Sequence, residues 1–371
     1  MVAPPEERIP WFRPQVGAAE AKRLAEVLES GYINAGEVTR AFEERVAKTI
    51  GAQHCISVTS GTAAIALALM GKGIGPGDEV IVPDLTFIAT ANAVRLTGAS
   101  VKLVDAEIKR FTLDVDRTRD AIGPRTRAII PVDVNGRGAN YGVLEPLCRD
   151  KGLVLICDSA EGLGSKYAGR FLGTFGDAGA FSFSAAKTVS SGQGGMIATN
   201  DEELACRLRE LRDQGRRSQG TGGNDLHPVV GFNFKYTNLQ AAVALCQMDR
   251  VAKRLKHFRR RDQWYRALLA DCPGVTLPPL DDGEEVRQWT DILVERRDDV
   301  VAALAAKGIG CRPFWYPLHT QAPYQAPDTG FPGAMAVSYR GLWLPSSFEL
   351  TRDQAEMTTG IIRQTLSGTT P

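Results

Sequence analysis

Short runs of apolar and β-branched residues alternate with helical patterns along the first half of the chain. These runs lie at residues 79–83, 100–104, 128–132, 153–157 and 179–184. Alternation of this kind is typical of crossover units, so it predicts an α/β fold with a mostly parallel central sheet flanked by helices. In such sheets ligands bind at the carboxyl ends of the strands.

Helical patterns surround these strands and dominate the second half. Residues 15–50 predict two helices, and residues 62–70 predict an almost entirely apolar helix that must be buried. A long helical pattern begins near residue 238. The elements expected beyond it are strands at 288–294 and 310–314 and helices at 300–306 and 351–366. We therefore predict a large domain at 1–249, including the N-terminal segment, and a smaller α+β domain at 250–371.

Charge and composition exclude several classes of partner. Lys plus Arg number 44 and Asp plus Glu number 43, so no global field favours nucleic acid or an anionic membrane. No apolar run approaches the ~18 residues of a membrane span, and the first residues lack a secretory pattern, which predicts a cytoplasmic protein. The seven cysteines contain no C-x-x-C pair, so we expect neither a disulfide framework nor a metal site.

Two strands bring ionisable side chains to the same edge of the predicted sheet. Asp158 follows the run at 153–157, and a buried carboxylate there needs a partner such as a pyridinium N–H. Lys187 follows the run at 179–184 in an almost uncharged stretch, where desolvation frees its amine to form an imine. Ser182 can offer a hydroxyl to a phosphate. This pattern indicates pyridoxal 5'-phosphate (PLP) held by Lys187 as a Schiff base.

Two further segments fit the same cofactor. Ser60, Gly61 and Thr62 begin the apolar helix, where unpaired N–H groups and the helix dipole can bind a phosphate. Phe87 follows the run at 79–83 and can cover one face of a planar ring.

Each of these residues also has a simpler explanation when it is taken alone. A lysine near a strand end is usually a solvated surface residue, and Asp158 is equally well explained as a helix N-cap. Ser60–Thr62 is also an ordinary helix start, and Phe87 is more often a core residue. Their occurrence together, in an order that places them at one sheet edge, favours a catalytic site.

The chain resembles the DegT/DnrJ/EryC1/StrS sugar aminotransferases over nearly its whole length. The order and spacing of the shared blocks make chance agreement a poor explanation. The resembling blocks are Ser30-Gly-Tyr-Ile-Asn-Ala-Gly36, Ser60-Gly-Thr-Ala-Ala64, 83–91, Asp158-Ser-Ala-Glu161, Phe181-Ser-Phe-x-x-x-Lys187, Gly231-Phe-Asn233-Phe and Tyr316-Pro-Leu-His319. The resemblance implies a fold type I PLP-transferase.

The resemblance also implies a role for each matching residue. Lys187 would carry PLP and shuttle the proton, Asp158 would pair with the pyridinium nitrogen, and Glu161 would lie near the phenolic oxygen. The other implied cofactor residues are Ser60, Gly61, Thr62 and Ser182 at the phosphate, Phe87 on the ring, and Asn233 at the phosphate of the neighbouring subunit.

Further expectations concern the assembly and the substrate contacts. The role of Asn233 requires a homodimer with shared sites. Tyr316 and His319 are candidate substrate residues, and a hydrogen-bonded structural role explains His319 equally well.

The implied reaction is transamination of a keto-sugar. The resemblance implies an amino acid donor, L-glutamate, a pyridoxamine 5'-phosphate form of the cofactor, and a nucleotide-linked keto-deoxysugar as acceptor. Amination of an inosose, dehydration, oxidative deamination and a non-catalytic regulatory role are the alternatives. Lys187 argues against dehydration, since the relatives that dehydrate replace this lysine with histidine.

Three positions depart from the family pattern. Gln193 replaces a usual glutamate, so a buried or paired charge is expected to be missing there. Asp133 replaces a frequent histidine, and Glu161 stands where many members have glutamine. These changes bear on the choice of substrate more than on the cofactor. We expect substrate contacts from residues 213–226 and from a partner subunit.

Overall fold

The computed structural model describes residues 8–217, 225–281 and 283–368. The strands are β1 (His54–Val58), β2 (Glu79–Pro83), β3 (Ser100–Val104), β4 (Thr126–Ile129), β5 (Val154–Asp158), β6 (Lys166–Tyr167), β7 (Arg170–Phe171), β8 (Ala178–Ser182), β9 (Gly195–Thr199), β10 (Val275–Thr276), β11 (Asp291–Val294), β12 (Arg312–Pro313) and β13 (Gly341–Trp343). The helices are α1 (Ala18–Ser30), α2 (Glu37–Ile50), α3 (Gly61–Gly71), α4 (Ala89–Leu96), α5 (Val115–Ala121), α6 (Tyr141–Lys151), α7 (Glu202–Arg212), α8 (Asn238–Met248), α9 (Val251–Leu269), α10 (Arg297–Ala306), α11 (Pro332–Arg340) and α12 (Arg352–Ser367).

A seven-stranded sheet organises the first part of the chain, in the order β1-β9-β8-β5-β4-β2-β3. Its strands are parallel except β9, which pairs antiparallel with both β1 and β8. The predicted α/β class and mostly parallel sheet are therefore confirmed. The alternating pattern misses β1 and β9, and β9 breaks the alternation because it follows β8 without an intervening helix.

The helix α3 lies inside this part of the protein, as its composition predicts. Its residues 63–69 are all buried, because a helix that is apolar on every side has no face to present to water. The Ser60 side chain caps the helix by accepting a hydrogen bond from the Ala63 amide at 3.1 Å. No helix in the described ranges is both long and apolar enough to cross a membrane.

The second part of the chain forms a separate antiparallel sheet, in the order β10-β11-β13-β12, covered by α9, α10 and α12. The proposed boundary at 249/250 falls between α8 and α9. Ile9, in the N-terminal segment, packs into the core of this second part. Its backbone exchanges hydrogen bonds with Gly308 and Gly310, because burying Ile9 also requires partners for its peptide groups.

A buried charge cluster joins the two parts. The Asp291 carboxylate accepts hydrogen bonds from Arg137 at 2.9 and 2.6 Å and from Arg287 at 2.7 Å. Asn135 donates to the same carboxylate at 3.1 Å. Burial alone would raise the pKa of Asp291, but the two guanidinium charges outweigh it and lower the pKa to about 2. The carboxylate is therefore ionised at neutral pH and holds elements from both parts together.

We expect Asp291→Asn to lower the free energy of unfolding by about 3–5 kcal/mol, because it removes the carboxylate between two buried guanidinium groups and leaves Arg137 without its ion-pair partner, while Arg287 retains Glu285. Urea denaturation at neutral pH measures the change. Asp298→Asn is the matched control, since Asp298 pairs with Arg297 but its side chain is 85% exposed. Equal losses in the two variants would show that the cluster adds nothing to stability.

Candidate functional site

A cavity of about 350 Å³ opens at the carboxyl ends of the central strands. Side chains from both parts of the chain line it. The sequence-predicted residues that it brings together are Ser60, Gly61, Thr62, Phe87, Asp158, Glu161, Ser182 and Lys187. These residues come from distant positions in the sequence and meet because β2, β5 and β8 are parallel neighbours or near neighbours in one sheet.

Lys187 lies in the turn that follows β8. Its Nζ atom is 3.2 Å from Glu161 Oε1 and 5.1 Å from the centre of the Trp289 ring. The lysine side chain is only 13% exposed. An ammonium must lose a proton before its nitrogen can act as a nucleophile, and Glu161 is an acceptor within reach.

Asp158 is the last residue of β5 and is almost completely buried. Its Oδ2 atom accepts a hydrogen bond from Thr90 Oγ1 at 2.7 Å, and its Oδ1 atom accepts one from the Ala160 amide at 3.1 Å. Burial raises the pKa of Asp158, while the Thr90 hydroxyl, the Ala160 amide and the charge of Lys187 lower it by less. A cationic N–H placed in the cavity would favour the ionised carboxylate.

The start of α3 offers donors for an anion. The first N–H groups of a helix have no intrahelical acceptor, and Ser60 Oγ takes the one at Ala63. The amides of Gly61 and Thr62 are therefore left for a ligand. A Cβ atom at Gly61 would lie 3.1 Å from Ser182 Cβ, so glycine keeps open the space between the helix start and β8.

These groups together fit pyridoxal phosphate. The cavity holds an amine at Lys187, a buried carboxylate at Asp158 for a cationic ring nitrogen, and a cradle for a phosphate at Gly61. Phe87 is 52% exposed on the wall of the same cavity, so an aromatic face is available to a planar ring.

His319 does not line this cavity. Its ring is fully buried, with Nδ1 at 2.6 Å from Asp84 Oδ2 and Nε2 at 3.2 Å from Asp328 Oδ1. The ring also stacks on Phe331 with a centroid distance of 4.5 Å. Both nitrogens therefore have partners within the chain, which favours the structural explanation of His319 over a substrate contact.

The remaining predicted site residues lie outside the cavity of their own chain. Tyr316 is 69% exposed and Asn233 is also exposed. Asn233 forms an isolated backbone bridge with Asp213, near the start of the expected substrate loop at 213–226. Residues 218–224 of that loop lie outside the described residues.

Two departures from the family pattern have clear positions. Asp133 is buried behind Asp158 and accepts hydrogen bonds from Tyr141 at 2.7 Å and from Ser159. Burial raises the pKa of Asp133 to about 7, and the charge of Asp158 also raises it. Gln193 is exposed on the cavity wall, so its position does not require a buried charge within this chain.

Sequence reasoning missed the residues that surround and orient these groups. The cavity is also lined by Thr86, Thr90, Trp289, Arg312 and Trp315. Thr90 lies inside the resembling block 83–91, which was a usable signal. Arg312 and Trp289 come from the second part of the chain, and no pattern in the sequence links that part to the carboxyl ends of the first sheet.

Asn135 is a further residue that was missed. It has a φ of 55°, in the left-handed region where asparagine is tolerated. Its backbone amide donates to Glu161 Oε2 at 2.8 Å, and its side-chain oxygen accepts the Trp289 amide at 2.7 Å. Asn135 thus holds both the acidic partner of Lys187 and the aromatic ring beside it.

This fold and this constellation define a PLP-dependent aminotransferase. A model of the DegT/DnrJ/EryC1/StrS aminotransferase family matches residues 14–363. The chain belongs to this family, as its sequence blocks predict.

Known proteins resemble the chain over almost its full length. It is 37% identical over 368 residues to a GDP-perosamine synthase of Caulobacter vibrioides, covering 97% of this chain and 98% of the relative. The structure of DesI with its TDP-sugar product shares 30% identity at a TM-score of 0.89, covering 98% of this chain and 94% of that one. The PLP form of a protein of Streptococcus pneumoniae classed with the sugar aminotransferases shares 26% identity at a TM-score of 0.91, covering 98% and 100%.

We expect Thr90→Val to weaken PLP binding and slow turnover by about tenfold each, because a buried carboxylate loses a charge-assisted hydrogen bond. The pKa of Asp158 should rise further, since the Thr90 hydroxyl lowers it. Spectral titration of the apoenzyme with PLP and steady-state rates measure the two effects. Thr90→Ser keeps the hydroxyl and should restore both; a serine variant as poor as the valine variant would contradict this role.

Proposed function

We propose that this aminotransferase moves an amino group from an amino acid, L-glutamate, to a nucleotide-linked keto-deoxysugar and so produces an amino sugar. The observation that carries the proposal is the meeting of Lys187, Glu161 and Asp158 beside the anion cradle at Gly61. The nucleotide-sugar names of the GDP-perosamine synthase and of DesI support the acceptor class.

The residues of the cavity would hold PLP at several separate points. Lys187 would bind it through Nζ, and Asp158 would accept the hydrogen bond of the ring nitrogen. Ser182, with the amides of Gly61 and Thr62, would bind the phosphate, while Ser60 fixes the helix start by capping it. Phe87 would cover the ring from the exposed side of the cavity.

The chain's own groups would then control the protons. When bound, PLP supplies an electron sink for the carbon that loses its proton. Asp158 would keep a proton on the ring nitrogen, which maintains that sink. Lys187, once freed by the incoming amine, would move the proton between substrate carbon and cofactor carbon. Glu161 would hold Lys187 in position for this transfer, given their 3.2 Å contact. In the second half-reaction, with the keto-sugar as the acceptor of the amino group, Lys187 would move the proton in the opposite direction.

A second copy of the chain would complete the site. Asn233 is exposed and lies outside the cavity of its own chain, so it is free to contact the phosphate in a partner. A homodimer with two shared sites accounts for this placement.

We expect Lys187→Ala to lose both half-reactions, with rates lower by roughly 10³-fold, because it removes the group that moves the proton. Single-turnover absorbance with L-glutamate and then with a nucleotide keto-sugar measures each half-reaction. Borohydride reduction followed by peptide mass analysis should fix PLP to Lys187 in the wild type.

The matched control is Lys253→Ala, since Lys253 is exposed on α9. It should retain wild-type rates and the borohydride adduct. A Lys187→Ala enzyme that completes both half-reactions at the wild-type rate would refute the proposed site.

We expect hybrid dimers of Lys187→Ala and Asn233→Ala chains to regain activity. Each hybrid would contain one site with an intact lysine and an intact asparagine, so a random mixture should reach about a quarter of wild-type activity. Differently tagged chains allow the hybrid to be purified and assayed. An inactive hybrid, made from variants that are each impaired alone, would show that the sites are not shared through Asn233.

A further inference from the structure

The residue after Lys187 is held by the second part of the chain. The amide and the Oγ1 atom of Thr188 both donate to Gln288 Oε1, each at 3.2 Å. The Thr188 carbonyl accepts a hydrogen bond from Arg254 at 2.8 Å. Gln288 lies just before β11 and Arg254 lies on α9, so residues from the second part bind the amide, the carbonyl and the hydroxyl of Thr188.

These contacts are shielded from water. The exposed fraction is 2% for Thr188 and for Gln288 and 3% for Arg254. Buried peptide groups need partners within the protein, because water cannot replace a partner that is lost. Without the Gln288 side chain, the amide and the hydroxyl of Thr188 would both lack their acceptor, and the backbone beside Lys187 would have to shift to find another.

The helix α9 fixes the two side chains that hold Thr188. The Arg254 guanidinium lies 4.0 Å from the centre of the Phe348 ring, which keeps it in place. Arg261, two turns further along α9 on the same face, is fully buried and donates to the Gln288 carbonyl at 3.2 Å. One helix therefore fixes both the donor to the Thr188 carbonyl and the residue that accepts from its amide.

Neighbouring residues of the second part contact both ends of Lys187. Trp289 follows Gln288, and its ring lies 5.1 Å from Lys187 Nζ. At its backbone end Lys187 lies in a turn, where its amide donates to the Ser184 carbonyl at 3.1 Å. Lysine has a flexible four-carbon stem, so the position of Nζ depends on the turn that carries it as well as on the contacts at its tip. The hydrogen bonds of Thr188 restrain that turn.

We propose that Gln288 and Arg254 are positioning residues for Lys187, which hold Thr188 and so fix the turn that directs the lysine amine into the cavity. The inference rests on the proposed function, in which Lys187 binds PLP, and it gives the second part of the chain a role in that step. A displacement of about 1 Å between reacting groups can lower a rate by about 10²-fold, so a contact on the next residue is enough to affect the amine.

We expect Gln288→Leu to slow the covalent attachment of PLP to Lys187 by about tenfold, because two buried donors of Thr188 lose their acceptor and the turn shifts. Thr188→Val removes only the hydroxyl and should slow attachment by about threefold. Thr188→Ser keeps the hydroxyl and should match the wild type. The absorbance change after mixing apoenzyme with PLP gives the rate. Circular dichroism of the bound PLP reports its orientation and should change in the two slow variants.

Two further variants separate positioning from stability. Thr188→Val combined with Gln288→Leu should be no slower than Gln288→Leu alone, because both changes remove the same contact. Thr359→Val is the matched control: Thr359 is 2% exposed, and its hydroxyl donates to the Ala355 carbonyl at 3.0 Å on α12. It should lower the melting temperature without changing the attachment rate or the dichroism.

The outcomes are distinct. Attachment at the wild-type rate with unchanged dichroism in Gln288→Leu would overturn the inference, as would losses that multiply in the double variant or equal slowing in Thr359→Val. If Gln288→Leu does not fold, equal rates in Thr188→Val and Thr188→Ser would overturn it instead. A wild-type enzyme without a borohydride-fixed adduct at Lys187 would refute the proposed function, before any variant is compared.

Discussion

The geometry of the site depends on the buried carboxylate of Asp291. Its two arginine partners come from the first part of the chain and from the stretch before β11, so the ion cluster fixes the two parts against each other. Asn135 joins the same cluster and also contacts Glu161 and the backbone of Trp289. Burying three charged groups is costly unless every one is paired, and this requirement determines how the turn at 134–136 meets the second sheet. The pair of Lys187 and Glu161 is built on that turn.

A second constraint is the burial of acidic groups next to each other behind the cofactor site. Burial raises the pKa of both Asp133 and Asp158, and each retains hydrogen-bond donors that favour its ionised form. Thr90 acts on Asp158, while Tyr141 and Ser159 act on Asp133. A cationic ring nitrogen in the cavity would add the missing positive charge next to Asp158, so cofactor binding and carboxylate ionisation should stabilise each other.

His319 and Arg312 show how differently two polar residues near one site are used. His319 is enclosed between Asp84 and Asp328, and the same Asp84 carboxylate accepts the His319 amide at 2.7 Å. It therefore anchors the segment after β12 to the loop after β2. Arg312, seven positions earlier, has its charge exposed to the cavity and only rings as contacts. The polar contacts of His319 therefore lie within the chain, whereas the Arg312 side chain is exposed.

The sequence by itself determined the α/β class, the buried helix α3 and the group of residues around Lys187. These features follow from local patterns of neighbouring residues, namely the hydrophobic periodicity and the ends of strands β2, β5 and β8. The resemblance to the aminotransferase family added Glu161 to that group. Only the tertiary structure decided the positions of Asn135, Trp289 and Arg312. The contacts between Asn135 and Trp289 join segments 154 residues apart, and Arg312 meets the rings of Trp11 and Trp343, which lie on either side of it in the sequence. It also supplied the partners of His319, which favour the structural explanation of that residue. Buried polar groups are explained by their hydrogen-bond partners, and partners from distant segments produce no periodic pattern in the sequence.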